Sequence, residues 1–387
     1  MKSFRSISAH IVYTNTGDPI PYGVVTVAGD GTVISVEAQK EGHEGYNTEF
    51  FNGIIVPGFV NAHCHLELSY LKSVFEANCG MAGFLRQMSE KRKINIEKAD
   101  DYCAIYDSKM YRDGISLCAD IVNSNITSEI KKRSRIHYSN FIEIFGLRPD
   151  DAEFIIGNAE KLKTEFGDSH LNPHALYSLS DKLFEFLKRT SVKGSITSIH
   201  YKESGDEIEY LKENKGKLAD VLNEIESIKP DFLRAGINGI LEELFMSDQK
   251  ILFVHNTFSD REDSEFIEKK FPFSSIVICP SSNLFITGKL PDISVFSTDR
   301  ICIGTDSLAS NSDISMLHEM KLIQDTYPEL EFCEVLKWAT YNGARALGRE
   351  DTFGAISPGM KPGIVLIDKF DFQKKKIKTE TISRRLV

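Results

Sequence analysis

Residues 54–65 read IIVPGFVNAHCH, a short apolar run that ends in two histidines. Alternate side chains of an extended strand point to the same side, so the imidazoles of His63 and His65 can reach one metal ion. A buried strand that ends in ligand-type side chains is typical of a parallel barrel, whose active site lies at the carboxyl ends of its strands. The segment therefore predicts the first strand of such a barrel, over residues 54–61.

The same rhythm, in which a short apolar run ends in polar residues and an amphipathic stretch follows, recurs through the middle of the chain. Eight runs alternating with helices predict an α/β fold, a (β/α)₈ TIM-like barrel with buried parallel strands. A doubly wound sheet is the alternative, but the glycine-rich phosphate loop expected after its first strand is absent. The runs are 54–61, 115–122, 136–145, 171–179, 195–200, 251–255, 276–279 and 301–305, and the helix-like stretches include 83–93, 150–166, 181–190, 206–228 and 314–346.

The two chain ends have a different pattern, made of short alternating strands and turn residues. Glycine and proline turns lie at 17–19 and 29–31 near the start and at 358–359 and 362–363 near the end. The two ends could pair with each other while the middle of the chain is inserted between them. We therefore expect a small β-sandwich domain built from residues 1–53 and 351–387, and a metal-dependent barrel over residues 54–350.

Composition and charge narrow the class of protein and its partners. The chain has 387 residues, of which 41% are hydrophobic and 26% charged, as in an ordinary globular protein. Its formal net charge of −10 repels polyphosphate, so a nucleic-acid polymer is not expected as a partner. The sequence has neither a membrane-spanning apolar stretch nor the apolar core of a signal peptide, and its seven scattered cysteines suit reduced thiols. We expect a cytoplasmic protein that binds a small molecule, and assembly into a homo-oligomer is left open.

Three further apolar runs end in side chains that bind metals or transfer protons. His200 and Glu203 follow the fifth run, His255 follows the sixth and Asp306 follows the eighth. A single histidine in such a place is more often a hydrogen-bonded structural residue than a ligand. Their recurrence at the ends of several predicted strands is hard to explain by packing alone, and it predicts one site at the barrel mouth.

In these residues the chain resembles the amidohydrolase superfamily. The resemblance rests on the ordered set HxH, HxxE, H and TD, and it extends from PGFVNAHCH through HYKE, FVHN, CPSSN and GTDSLASN to PGMKPG. The HxxE is similar to the mononuclear deaminase branch, which includes adenosine, S-adenosylhomocysteine and aminofutalosine deaminases and has chlorohydrolase-like relatives. The resemblance implies one divalent ion, zinc or iron, and the ligands would be His63, His65, His200 and Asp306.

One departure from the wider superfamily supports a single ion. Dinuclear members carry a carboxylated lysine at the end of the fourth strand. Residues 171–177 of this chain read LNPHALY, without a lysine. A second, bridged ion is therefore not expected.

The resemblance assigns catalytic roles to Glu203, His255 and Asp306, and the chemistry of each side chain suits its role. A divalent ion with an open coordination position can ionise a bound water near neutral pH. Asp306 can accept the proton, and His255 can stabilise the charge that develops at the attacked carbon. Glu203 can protonate a ring nitrogen and help ammonia to leave; the alternative is that it only accepts a hydrogen bond from a ligand imidazole.

Two more residues are candidates for substrate binding. Glu67 follows the HxH motif, and His174 ends the fourth run. In adenosine-type relatives the matching histidine lies near the sugar of the substrate. We therefore expect a hydrolase acting on carbon–nitrogen bonds other than peptide bonds, and more closely a deaminase that releases ammonia from an adenine-type nucleoside derivative. The alternatives are a hydrolase of another C–N or C–Cl bond, in a cyclic amide, pterin or triazine, and a non-catalytic barrel.

Overall fold

The computed structural model describes residues 4–38, 47–226 and 229–387. Strands and helices alternate through most of this part of the chain, which has the expected α/β class and parallel sheets. The strands are β1 (Phe4–Val12), β2 (Ile20–Pro21), β3 (Val24–Ala28), β4 (Val33–Glu37), β5 (Thr48–Pro57), β6 (Phe59–Cys64), β7 (Ile115–Val122), β8 (His137–Ile144), β9 (Ser169–Pro173), β10 (Ile196–Tyr201), β11 (Lys250–His255), β12 (Ser275–Ile278), β13 (Ile301–Ile303), β14 (Ile364–Asp368) and β15 (Ile382–Arg385).

The helices lie mainly between consecutive parallel strands, as a β/α alternation requires. None of those in the described ranges is both long and apolar enough to cross a membrane. The helices are α1 (Gly80–Lys91), α2 (Ala99–Asp113), α3 (Ser128–Arg133), α4 (Ala152–Glu165), α5 (Asp181–Thr190), α6 (Gly205–Glu213), α7 (Gly216–Ile225), α8 (Gly236–Leu244), α9 (Arg261–Lys270), α10 (Pro280–Thr287), α11 (Met316–Thr326), α12 (Phe332–Trp338) and α13 (Tyr341–Ala346).

Both chain ends contribute to one seven-stranded sheet, with the strand order β15-β14-β5-β1-β3-β4 and with β2 paired to β1. The C-terminal strand β14 pairs antiparallel with β5, which in turn runs parallel to β1. The buried side chains of this seven-stranded sheet are mostly β-branched, as is typical of a sheet with one buried face. They include Ile7, Val12, Val25, Val27, Ile55 and Ile364.

The predicted first barrel strand, over residues 54–61, is wrong in one respect, because the structure divides that run between two sheets. Its first half belongs to β5 in the seven-stranded sheet, and the parallel strand β6 begins only at Phe59. Gly58 makes the junction, since a Cβ atom there would lie 2.0 Å from Oγ of Ser116 and 2.3 Å from the carbonyl oxygen of Pro362. This close approach is a tertiary contact that the local pattern does not reveal.

Eight parallel strands form the centre of the fold, in two four-stranded sheets ordered β6-β7-β8-β9 and β10-β11-β12-β13. The sheets meet at their carboxyl ends. There the N–H of His200 donates to the carbonyl oxygen of His174 at 2.9 Å. On the other side, the N–H groups of Thr305 and Asp306 both donate to the carbonyl oxygen of His63 at 3.0 Å. Every residue of β7 is buried, as expected for a parallel strand covered on both faces.

The predicted long helices are shorter in the structure. The stretch 206–228 is divided into α6 and α7 because Asn214 and Gly216 adopt positive φ values of 55° and 86°, and residues 227 and 228 lie outside the described part of the chain. The stretch 314–346 is likewise divided into α11, α12 and α13. Amphipathic periodicity continues across such breaks, which is why it did not reveal them.

Candidate metal and catalytic centre

The two histidines of the HxH motif lie next to each other and next to Asp306. Nε2 of His63 lies 3.2 Å from Nε2 of His65, and Oδ1 of Asp306 lies 3.5 and 3.4 Å from these two atoms. The arrangement arises because β6 ends beside the loop that follows β13, with a parallel bridge between Cys64 and Asp306. The structure thus brings three predicted ligands to one point.

The spacing of these donor atoms fits a metal ion of the size of zinc. Zinc ligands at 2.0–2.1 Å in a tetrahedron are separated by about 3.4 Å, which matches the three distances of 3.2, 3.4 and 3.5 Å. Burial lowers the pKa of His65 to about 3, so its imidazole is neutral and has a lone pair to offer. Donor atoms of His63, His200 and His255 also lie within 4.8 Å of one another.

The orientation of the His200 ring leaves the correct nitrogen free for a metal. Its Nδ1 lies 2.8 Å from the carbonyl oxygen of His174, and because a carbonyl oxygen only accepts, Nδ1 carries the proton. Nε2 therefore has the lone pair. Burial holds the pKa of His200 well below its usual range, so the ring is neutral. His200 thus has the protonation state that a metal ligand needs.

The Asp306 carboxylate is held so that one oxygen faces the cluster. Its other oxygen, Oδ2, accepts hydrogen bonds from the hydroxyls of Ser282 at 2.5 Å and Ser310 at 2.8 Å. Burial raises the pKa of Asp306, but the hydrogen bond with His63 and the electrostatic contributions of the surrounding histidines outweigh burial and hold it well below its usual range. The carboxylate is therefore ionised. Ser282 lies in the CPSSN motif, to which sequence reasoning gave no role.

Glu203 and His255 stand together beside this cluster. Oε1 of Glu203 lies 3.5 Å from Nε2 of His255, and Nδ1 of His255 lies 2.8 Å from the amide oxygen of Asn283. Burial, and then the charges of Asp306 and Glu207, raise the pKa of Glu203 well above its usual range. Burial lowers the pKa of His255 to about 4. Burial thus favours the protonated form of Glu203, and His255 is a neutral imidazole near neutral pH.

The turn that carries Glu203 is held by a second glutamate. The carboxylate of Glu207 accepts from the backbone N–H groups of Lys202 at 3.1 Å and Glu203 at 2.8 Å. In return, the Glu207 N–H donates to the hydroxyl of Ser204, the N-cap residue that precedes α6. The Ser-x-x-Glu spacing of a capping box is the sequence signal that could have identified Glu207.

Of the two predicted substrate-binding residues, His174 lies beside the cluster, and Glu67 is hydrogen-bonded to the loop that follows β7. The ring centroid of His174 is 4.7 Å from that of His200. Oε2 of Glu67 accepts from the N–H groups of Asn123 and Ser124, at 3.1 and 3.0 Å, and from the Ser124 hydroxyl at 3.0 Å. Its Oε1 is buried without a hydrogen-bond partner among the described residues.

Sequence reasoning missed Glu143, which lies near the end of β8. Nδ2 of Asn123 donates to its Oε2 at 3.1 Å, and its Oε1 lies 3.7 Å from Nδ1 of His200. Burial raises the pKa of Glu143 to about 8. The signal was available, because Glu143 lies at the end of an apolar run, like the residues that were chosen.

Comparisons with known proteins show a family match over most of the chain. The model of the amidohydrolase family matches residues 54–384. An adenosine deaminase of Helicobacter pylori is 25% identical over 352 residues, which cover 87% of this chain and 84% of that protein.

Two solved structures share the fold. The aminofutalosine deaminase of H. pylori, in complex with methylthio-coformycin, has a TM-score of 0.80 at 21% identity. The match covers 96% of this chain and 94% of the chain of that deaminase. An adenosine deaminase of Xanthomonas campestris with bound zinc has a TM-score of 0.71 at 21% identity, with coverage of 94% and 84%.

Proposed function

The chain belongs to the amidohydrolase family, and on that premise we propose that it is a metal-dependent deaminase that hydrolyses an adenine-type nucleoside derivative and releases ammonia. The resemblance drawn from the motifs is confirmed by the family match. The observation that carries the proposal is the convergence of Glu203 and His255 on the cluster of His63, His65 and Asp306. An acid beside a metal-ligand set is what hydrolytic deamination needs.

We propose one divalent ion per chain, zinc or iron, held by His63, His65, His200 and Asp306. When bound, such an ion lowers the pKa of a coordinated water and so supplies a nucleophile at neutral pH. The donor spacing, the neutral rings of His65 and His200 and the ionised Asp306 support this assignment. The zinc in the Xanthomonas campestris deaminase favours zinc among the candidates.

The side chains around the ligands divide the remaining work. Asp306 presents Oδ1 to the centre and can accept the proton of the attacking water, because Oδ2 is occupied by two serine hydroxyls. Glu203 holds a proton that it can deliver to the ring nitrogen next to the attacked carbon. The proton that Asp306 takes from the water can then pass to the departing amine, and Glu203 helps ammonia to leave by taking up the proton of the added hydroxyl as that group becomes the oxo group. His255, whose Nε2 faces Glu203, stabilises the charge that develops at the attacked carbon. Water adds to the carbon, the C–N bond breaks, and ammonia and an oxo product are formed.

We propose that His174 and Glu67 act on the part of the substrate away from the reacting carbon. His174 is the nearer of the two to the ligand cluster, with its ring against His200. Glu67 is buried and uses one oxygen to hold the loop after β7, so it acts through that loop as well as through its free oxygen. Replacement of His174 by alanine should therefore raise KM more than it lowers kcat.

We infer further that the eight parallel strands close into a (β/α)₈ barrel. The support is the parallel bridges that join Cys64 to Asp306 and Ala175 to His200 across the two gaps between the four-stranded sheets. We also infer that the seven-stranded sheet is a separate β-sandwich domain built from residues 1–53 and 351–387. Its own buried cluster supports this division, although β5 continues past residue 53 to Pro57.

A reducing, cytoplasmic environment is our proposal for the location. All seven cysteines are free thiols, and five of them are buried. Thiols in such number persist most readily where disulfides do not form. We expect a small molecule, and no nucleic-acid polymer, as the partner of the acidic chain.

A substrate panel tests the proposed function. Purified protein loaded with one equivalent of zinc or iron should release ammonia from at least one 6-aminopurine nucleoside among adenosine, 5′-methylthioadenosine and S-adenosylhomocysteine. A guanine, a pterin and a triazine complete the panel. If only the last three react, the substrate class is wrong and the hydrolytic centre stands. If no compound loses an amine, the deaminase assignment is wrong.

A further inference from the structure

We infer that Glu143 binds a hydroxyl group of the substrate's sugar, together with His174, an inference that rests on the proposed function. Glu143 lies near the carboxyl end of β8, and His174 follows the neighbouring strand β9. The groups assigned to the reaction lie at or just after the carboxyl ends of β6, β10, β11 and β13 instead. Glu143 and His174 thus occupy the part of the mouth that the chemistry leaves free.

The first observation is an unpaired oxygen. Oε1 of Glu143 is buried and has no hydrogen-bond partner among the residues that the structure describes, and the whole residue is only 9% exposed. The other oxygen, Oε2, is fixed by Nδ2 of Asn123 at 3.1 Å. Buried polar atoms are nearly always paired, so Oε1 needs a partner that the chain does not supply.

A second metal ion is a poor candidate for that partner. Donor atoms of Glu143, His174 and His200 lie within 4.8 Å of one another, which is close enough to hold an ion. However, the nitrogen of His200 on this side is Nδ1, which carries a proton because it donates to the carbonyl oxygen of His174. Only Glu143 and His174 can then offer a lone pair to an ion, and two ligand atoms are too few for a closed metal site.

The free oxygen of Glu143 and the free nitrogen of His174 suit a hydroxyl group. The Ser178 hydroxyl donates to the carbonyl oxygen of Ala175, so it accepts from Nδ1 of His174 and leaves the lone pair on Nε2 of His174. A hydroxyl both donates and accepts, so it can pair with Glu143 in either protonation state of the carboxyl. The sugar of a nucleoside offers such hydroxyls at a distance from the base.

An exposed aromatic side chain borders this side of the site. Phe145, two residues after Glu143, is 40% exposed. Its ring centroid lies 5.8 Å from that of His174. The sugar of a bound nucleoside can therefore point outward past Glu143 and His174 while the base remains at the buried centre.

The test compares nucleosides that differ by one hydroxyl. With a 6-aminopurine ribonucleoside and its 2′-deoxy and 3′-deoxy analogues, wild-type protein should prefer the ribonucleoside over at least one analogue by about 10–100-fold in kcat/KM. Glu143→Ala should lose about that factor on the ribonucleoside and change the disfavoured analogue by less than about twofold. Glu143→Gln, which keeps an acceptor oxygen, should retain part of the preference.

Several outcomes would overturn the inference. An equal loss on all three nucleosides would make Glu143 a structural residue, and a wild-type protein that ignores the missing hydroxyl would exclude it as a sugar contact. Two tightly bound metal equivalents that fall to one in Glu143→Ala would assign it to a metal. If Glu143→Ala does not fold, Asn123→Ala should still reduce the preference. If wild type deaminates no purine nucleoside, the proposed function fails as well.

Discussion

Asn61 Nδ2 donates to Oγ1 of Thr305 at 2.7 Å, across 244 residues of sequence, and thereby ties the first parallel strand, β6, to the loop that follows the last one, β13. The Asn61 side chain also accepts from the N–H of Thr305 at 3.1 Å. Both residues are fully buried. Because His63 is two residues after Asn61 and Asp306 is the residue after Thr305, this pair sets the distance between two proposed metal ligands. The ligand cluster is thus held in place by hydrogen bonds of the surrounding chain.

Removal of one proposed ligand should remove the metal. His63→Ala should reduce tightly bound zinc or iron well below one equivalent and abolish turnover, because the remaining ligands leave the coordination shell incomplete. Elemental analysis of the purified variant measures this directly. His318→Ala is the matched control, since that imidazole is exposed on α11 and should leave the metal content unchanged. A His63→Ala protein that retains one equivalent would exclude His63 as a ligand.

Removal of the proposed acid should reduce turnover and leave the metal in place. Glu203→Gln keeps the shape of the side chain and loses its proton, so kcat should fall about 10²–10⁴-fold while the protein still binds one equivalent of metal. Glu209→Gln, on the exposed face of α6, should have wild-type turnover. Full turnover by Glu203→Gln would leave Glu203 with only a structural role near the ligands.

The two serines that hold Asp306 should matter for rate without touching the substrate. Ser282→Ala and Ser310→Ala each free Oδ2 of Asp306 from one hydroxyl, and partners of metal-ligating groups typically contribute about 10–100-fold to metal affinity or activity. We expect losses of that order in kcat/KM or in zinc affinity. The exposed Ser294→Ala provides the comparison. Wild-type behaviour of the Ser282→Ala, Ser310→Ala double variant would show that Asp306 needs no such support.

A cluster of ion pairs around Asp168 should make stability depend on pH. Its carboxylate lies 2.8 Å from Nη2 of Arg349, 3.3 Å from Nε2 of His137 and 3.4 Å from Nε2 of His170. Burial opposes ionisation, but the hydrogen bonds from these three side chains outweigh it and hold the pKa of Asp168 well below its usual range.

A carboxyl group whose pKa is lowered by folding stabilises the protein above its unfolded pKa of about 3.9, and this contribution is lost as the pH falls below that value. Asp168→Asn should therefore lower the free energy of unfolding at pH 7 by about 1–2 kcal/mol. The difference should shrink at pH 3, as measured by urea unfolding at both pH values. Asparagine tolerates the positive φ of 44° at this position. A difference that does not depend on pH would contradict the ion-pair explanation.

The residues that local pattern could identify are those at the ends of strands. His63 and His65 follow from the period of a strand, and Asp306 joins them because parallel strands end at one edge. Ser282, Ser310 and Asn123 could not be predicted, since their roles depend on which helix or loop packs against which strand. The break at Gly58 depends in the same way on Ser116 and Pro362. Glu143 met the criterion used for the other residues, and it was missed because no motif marks it.

The source of the oxygen in the product distinguishes hydrolytic deamination from other reactions of the nucleoside. Wild-type protein with one equivalent of zinc is incubated with a reactive 6-aminopurine nucleoside in ¹⁸O-labelled water, and the product is measured by mass spectrometry together with the ammonia released. The account predicts one mole of ammonia for each mole of a 6-oxo product that carries one heavy oxygen. Loss of the amine without incorporation of the label, or cleavage of the sugar from an intact aminopurine, would contradict hydrolytic deamination.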